Sequence, residues 1–123
     1  MITIKRTLAV VALVFFALSV GCSREVEKEY YPNGNLKSVL NYKKGQLEGI
    51  ALYYYENGEL KERVNYRKGK RERTGTTYYE SGKLKEEITY ENGMRVNVKL
   101  HGEDGALISE SVYKDDKLVE EIK

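Results

Sequence analysis

One phrase recurs along this chain every 24 residues or so, and that recurrence limits the chain to architectures built by repetition. Tyr31-Pro-Asn-Gly-Asn-Leu-Lys, Tyr55-Glu-Asn-Gly-Glu-Leu-Lys and Tyr79-Glu-Ser-Gly-Lys-Leu-Lys align without gaps, and Gly102-Glu-Asp-Gly-Ala-Leu-Ile is a degenerate fourth copy. The turn glycines Gly34, Gly58, Gly82 and Gly105 stand 24, 24 and 23 residues apart. Two residues after each comes a leucine (Leu36, Leu60, Leu84, Leu107), and six residues later a tyrosine (Tyr42, Tyr66, Tyr90, Tyr113). A second turn position follows each tyrosine: Gly45, Gly69, Gly93 and, in the last copy, Asp116.

Each unit therefore reads as two strands and two turns. Asn-Gly at 33–34 and 57–58 is a strong hairpin signal, because both residue types tolerate positive φ. "LKERVNY" alternates with period two, placing Leu60, Glu62, Val64 and Tyr66 on one face and Lys61, Arg63 and Asn65 on the other. In the companion strands Ile50, Leu52 and Tyr54 share a face, as do Val96, Val98 and Leu100. The residue missing before the fourth copy is expected in the turn "HGEDG", which would keep the strand faces in register. No segment after residue 22 has a helical period, so nothing is available to form a helix layer. The prediction is an all-β, elongated, single-layer antiparallel meander of stacked hairpins, with a two-layer sandwich as the rival. Such a sheet buries little volume, and flat tyrosine rings with wet hydroxyls suit it.

The N-terminus is of a different kind. Lys5 and Arg6 precede an uncharged, mostly apolar run from Thr7 to Gly21. Its 15 residues match the core of a secretory signal and fall short of the ~20 a spanning helix needs. Residues 1–21 are thus expected to be a helical signal peptide, 22–29 a short linker and 30–123 the repeat domain; a retained N-terminal anchor is the other reading. The single cysteine, Cys22, follows Val20-Gly21 directly and resembles the lipidated cysteine of a bacterial lipoprotein lipobox, with Ser19 where that box usually has leucine and Leu18 one step earlier. The resemblance implies lipidation at Cys22 and a cell-envelope location, in the outer membrane if the cell has one. One cysteine excludes an internal disulfide.

"GQLEGIALYYYENGELKE" (45–62), with its G-x-L-x-G and Y-Y-x-N-G-x-L-K patterns, resembles the bacterial variant of the MORN repeat, and the likeness runs in register over residues 30–116. Arg73 stands where that pattern has its early glycine, and His101-Gly102 replace the tyrosine pair of the fourth copy. The resemblance implies stacked β-hairpins. It also brings the roles attached to such proteins: protein scaffolding, membrane association, and the antitoxin role of YwqK-like members.

Chemistry has little to work with. His101 is the only histidine, and Cys22 is committed to the N-terminus. The carboxylates Glu62, Glu86 and Glu87 belong to solvated strand faces, and Glu103-Asp104 and Asp115-Asp116 lack the spaced ligands of a calcium loop. Neither an enzyme nor a cofactor is expected. The net charge of +2 comes from Lys5 and Arg6, since 21 − 2 = 19 basic residues then balance 19 acidic ones, which argues against nucleic-acid binding. Charge is instead patterned by turn. Lys43, Lys44, Arg67, Lys68, Lys70, Arg71 and Arg73 cluster on one edge of the meander, while Glu56, Glu80, Glu103 and Asp104 lie on the other. The basic edge and the tyrosines Tyr53, Tyr55 and Tyr79 are the candidate contact surface for a protein partner, an anionic membrane or a glycan. The readings are a lipid-anchored binding module, an antitoxin or immunity protein, and a lipid- or glycan-binding sheet. Open terminal strands add the prospect of edge-to-edge self-association.

Overall fold

The computed structural model describes residues 23–123; the expected signal peptide and the expected lipidation at Cys22 lie outside them. Ten strands follow in chain order: β1 (Arg24–Tyr30), β2 (Leu36–Lys43), β3 (Gln46–Leu47), β4 (Gly49–Tyr54), β5 (Leu60–Arg67), β6 (Lys70–Tyr78), β7 (Leu84–Glu91), β8 (Met94–His101), β9 (Leu107–Lys114) and β10 (Lys117–Ile122). They form one open antiparallel sheet in the order β1-β2-β4-β5-β6-β7-β8-β9-β10, with β3 paired to β2 beside β4. This is the all-β meander that the repeat predicts.

Residues 24–29 are part of it, and here the expected linker gives way. They form β1, paired from Arg24↔Lys43 to Tyr30↔Leu36. "REVEKEY" carries too little apolar character to announce a strand, but as an edge strand it needs little. Its alternating charges also suit an edge that must not recruit other chains.

The two ends of the hairpins use different turns. At one end Gly34 N–H donates to Tyr31 O and Tyr31 N–H to Asn35 O, and the same pair of bonds recurs at 55–59, 79–83 and 102–106. Only the glycine of each has positive φ, at 85–91°. This is a type I turn closed by a left-handed glycine, not the two-residue turn that Asn-Gly suggests. The side chains of Asn33, Asn57 and Asp104 instead accept from the amide two residues on. The two-residue turns lie at the other end, where Lys44-Gly45, Lys68-Gly69, Asn92-Gly93 and Asp115-Asp116 have positive φ at both positions.

The missing residue is not in the "HGEDG" turn, which keeps the length and hydrogen bonds of its counterparts. It is missing from β8. Between β5 and β6 the pairing slips by two residues from Arg63↔Thr76 to Asn65↔Glu72, whereas between β7 and β8 it slips by one from Thr89↔Asn97 to Tyr90↔Arg95. The larger bulge has a latch: Asn41 Nδ2 donates to Ile50 O at 2.6 Å and Asn65 Nδ2 to Thr74 O at 2.8 Å. Thr89, the equivalent residue beside the shorter strand, is too short to play that part.

The core is a patch on one face. Register puts Ser38, Leu40, Ala51, Tyr53, Val64, Tyr66, Ile88, Tyr90 and Val98 on the same side. Val64 is 0% and Ala51 2% exposed although the described residues form no second layer; Leu40, Tyr53, Tyr66 and Val98 pack against the cluster these two form with Ile88 and Tyr90. Tyrosine rings lying along the sheet supply the cover a second sheet would otherwise give. Gly75 makes room for this, since a Cβ there would meet the Tyr90 ring at 3.1 Å. Ile50 and Leu52 fall on the opposite, polar face, with Ile50 exposed. The buried face of this strand is the Ala51 and Tyr53 side.

Candidate functional site

The candidate tyrosines divide by what their hydroxyls do. Tyr55 Oη donates to Tyr78 O at 2.7 Å and Tyr79 Oη to His101 O at 2.8 Å, and Tyr31 Oη repeats the contact to Tyr54 O at 2.7 Å. Each bond leaves one hairpin's turn and ends on the next hairpin, 22 or 23 residues on. Asn33 and Asn57 add parallel bonds to Glu56 O and Glu80 O. Lys61 and Lys85 lie over the rings of Tyr55 and Tyr79 at 5.5 and 5.6 Å. These tyrosines couple repeats. The ladder stops at Gly102, which has no side chain to pass it on.

Tyr53 belongs to the covered face. Burial, then the neighbouring Tyr66 hydroxyl and the Glu62 carboxylate, push its pKa up to about 12, against the opposing pull of Arg71. Tyr42 is also raised, by burial and then by Glu27. Arg71 joins this cluster: its guanidinium donates to Tyr66 Oη at 3.3 Å and Tyr90 Oη at 3.0 Å, lies 5.5 Å from the centre of the Tyr90 ring, and pairs with Glu62 at 3.6 Å. Burial alone would lower its pKa, but the hydrogen bond it gives to Tyr66 and the nearby Tyr90 oxygen raise it overall, so it stays a cation. Its part is to tie Tyr66 and Tyr90 together.

The remaining cations are differently placed. Lys43, Lys44, Arg67, Lys68 and Lys70 surround the first two two-residue turns, side by side at one edge. Among them the described ion pairs include only a 4.0 Å approach of Arg67 to Glu72. The third turn at that edge, Glu91 to Met94, is acidic and the fourth, Lys114 to Lys117, is balanced, so the basic character is confined to the N-terminal half. Sequence reasoning missed a further cation, Arg24. It starts β1 opposite Lys43 and therefore stands on this same edge.

A cleft of about 650 Å³ opens there, lined by Arg24, Lys43, Arg67 and Arg73 together with Asn41, Asn65, Glu48 and Glu72. Arg24, Asn41, Lys43, Ile50, Asn65 and Arg67 share the face opposite the tyrosine core. Glu48 accepts from Lys68 N at 2.7 Å, and Glu72 has Arg73 at 3.6 Å. Among the described residues no group of three or more His, Cys, Asp or Glu is placed to hold a metal ion.

Three segments, residues 26–44, 47–68 and 74–92, match the MORN repeat variant. Each matched segment is one hairpin (β1–β2, β3/β4–β5 and β6–β7), so the MORN-variant unit is the hairpin closed by the left-handed glycine, and the two-residue turns join one unit to the next. The β8–β9 hairpin, with its shortened strand and missing tyrosines, lies beyond the matched segments. No curated protein matches the sequence significantly. Among solved structures, a chain in the crystal structure of accessory secretory protein 1, 2 and 3 in Streptococcus pneumoniae is similar at 14% identity and a TM-score of 0.47. The match covers 73% of this chain and 17% of that one.

Proposed function

We propose that this protein is a non-catalytic, lipid-anchored binding module of the cell envelope. Its basic edge meets the membrane, and its far edge and tyrosine face are presented to a protein partner. The observation that carries this reading is where the chain enters the sheet. Arg24 pairs with Lys43 at the edge of the basic turns, and Cys22 precedes Arg24 by two residues, a span of at most about 7 Å. An acyl chain on Cys22 would hold that edge, and not the acidic one, against the lipid surface. Near an anionic surface each such cation contributes on the order of 1 kcal/mol. The two features reinforce each other.

An immunity role against an envelope-acting toxin, or stacking of exposed tyrosines on glycans, is a narrower form of the same reading and differs in the partner. Cross-linking from intact cells identifies that partner; for the immunity role, co-expression with the captured toxin restores growth. The anchor is tested by metabolic labelling with a palmitate analogue, which Cys22→Ala should abolish. Orientation is tested on the lipidated full-length chain in anionic vesicles, with a fluorophore on Lys44→Cys or Glu80→Cys and a bilayer-resident quencher. Stronger quenching at position 44 is expected. Equal quenching, or stronger quenching at 80, refutes the edge-on arrangement.

A further inference from the structure

The repeat is broken most conspicuously at Arg73. The equivalent position one unit earlier is Gly49, whose φ of 97° suits glycine, and Arg73 keeps the left-handed backbone at a φ of 59°. An arginine there is strained where a glycine would not be, and strain that a sequence retains calls for a reason. The side chain does not repay it by burial: it is 77% exposed, and its ion pair is with its own neighbour Glu72, at 3.6 Å. What it does is complete the rim of the cleft at the basic edge, where Arg24, Lys43 and Arg67 already converge from three other strands.

We propose that this cleft is a binding site for a phosphate group, with Arg67 and Arg73 as its principal donors and Arg24 and Lys43 completing the charge. Four cations face two carboxylates, a net +2, and one carboxylate, Glu48, is already held by the Lys68 amide. Guanidinium groups match phosphate oxygens two at a time, so two arginines at one mouth select a tetrahedral oxyanion over a single charge. The volume, about 650 Å³, exceeds what inorganic phosphate needs and leaves room for the group esterified to it. The asparagines at the floor, Asn41 and Asn65, are fixed by their bonds to Ile50 O and Thr74 O, so the floor is rigid. For the source of the phosphate, though not for its binding, this inference rests on the membrane-facing reading above. A lipid headgroup and a soluble phosphate ester present the same chemistry.

The test uses the lipidated full-length chain in maltoside micelles, which contain no phosphate, with inorganic phosphate as the probe. Saturable shifts of the Arg67 and Arg73 Nε–H resonances are expected. Arg73→Gly, which restores the residue of the preceding unit, should weaken binding at least tenfold and melt no lower than the parent. Lys117→Gln with Lys123→Gln, at the opposite end of the sheet and outside the cleft, should leave binding within twofold. Absence of a saturable shift, or undiminished binding by Arg73→Gly, overturns the proposal. In phospholipid nanodiscs the same resonances identify the source. If they are already shifted and no longer respond to added phosphate, the headgroup occupies the cleft; if they still respond, a soluble phosphate is the ligand. A cleft that ignores phosphate in a protein whose position 44 still lies on the bilayer removes the site and leaves the orientation standing.

Discussion

Replacing Tyr55 by phenylalanine removes one oxygen and leaves the ring, so it isolates the contact that joins the second hairpin to the third. The hydroxyl donates to Tyr78 O at 2.7 Å in a half-buried setting. A neutral hydrogen bond of this kind contributes about 1 kcal/mol net, and water can reach the released carbonyl, so the expected cost is about 0.5–1.5 kcal/mol. The Lys61 cation remains over the ring, 5.5 Å from its centre, and the Asn57 bond to Glu80 O persists beside it. For a domain of this size the change lowers Tm by about 4–8 °C per kcal/mol. Tyr79→Phe breaks the equivalent bond to His101 O, which shares no partner with the first, so the double variant should lose the sum of the two. Equilibrium urea denaturation followed by circular dichroism reads both. A change below about 0.3 kcal/mol in each single variant, well under the ordinary value of such a bond, would refute the coupling role. Loss of partner binding at unchanged stability would return Tyr55 and Tyr79 to the contact surface.

Val64→Ala should cost about 1.5–2.5 kcal/mol by the same assay, because the side chain is fully covered and two methyl groups leave a gap beneath Tyr53 and Tyr66. Asn65→Ala should cost about 1 kcal/mol and speed amide exchange around the β6 bulge, whereas Thr89→Ala, beside the shorter bulge, should change stability by less than half as much. Tyr53 should ionise near pH 12 in an ultraviolet titration that Tyr53→Phe simplifies. Its folded pKa lies above the ordinary value of 10, so the unfolded chain ionises first, and the stability it contributes, complete below pH 10, declines as pH rises from 10 to about 12. In Tyr53→Phe that part of the alkaline decline should be absent.

How much of this was legible depends on which interaction fixes each feature. Strand order and antiparallel pairing within the repeats follow from local signals, namely period-two alternation and a glycine every 24 residues, and these are written along the chain. The turn types were not, because Asn-Gly is compatible with two geometries. Asn33 and Asn57 serve here through their side chains, and the choice between the geometries is made by the bulge in the following strand. The lost residue was legible in number but not in place, since only pairing shows that β8 runs beside Thr89 where its counterparts run beside an asparagine. Arg24 and β1 were missed for a related reason: an exposed edge strand needs no apolar face, and charge alternation looks the same in a linker. Arg71 was grouped with the basic turns by its neighbours in sequence, while its position opposite Tyr66 sends it inward to the tyrosine cluster.

The two edges of the sheet consequently carry different constraints. At the type I end the turn tyrosines and asparagines are committed to the next hairpin, and their substitution weakens the stack itself. At the two-residue-turn end, strand pairing and left-handed φ values hold the turns, and neither depends on what a lysine at position 43, 44 or 68 does beyond its Cα. Side chains there are free to be chosen for an external surface, and in the N-terminal half they are basic, close to where the chain enters. A repeat protein that must stay stacked while adapting its contacts gains by keeping the two demands on opposite edges. In this chain Arg73 is the residue at which the second demand has overridden the glycine that the first would have kept.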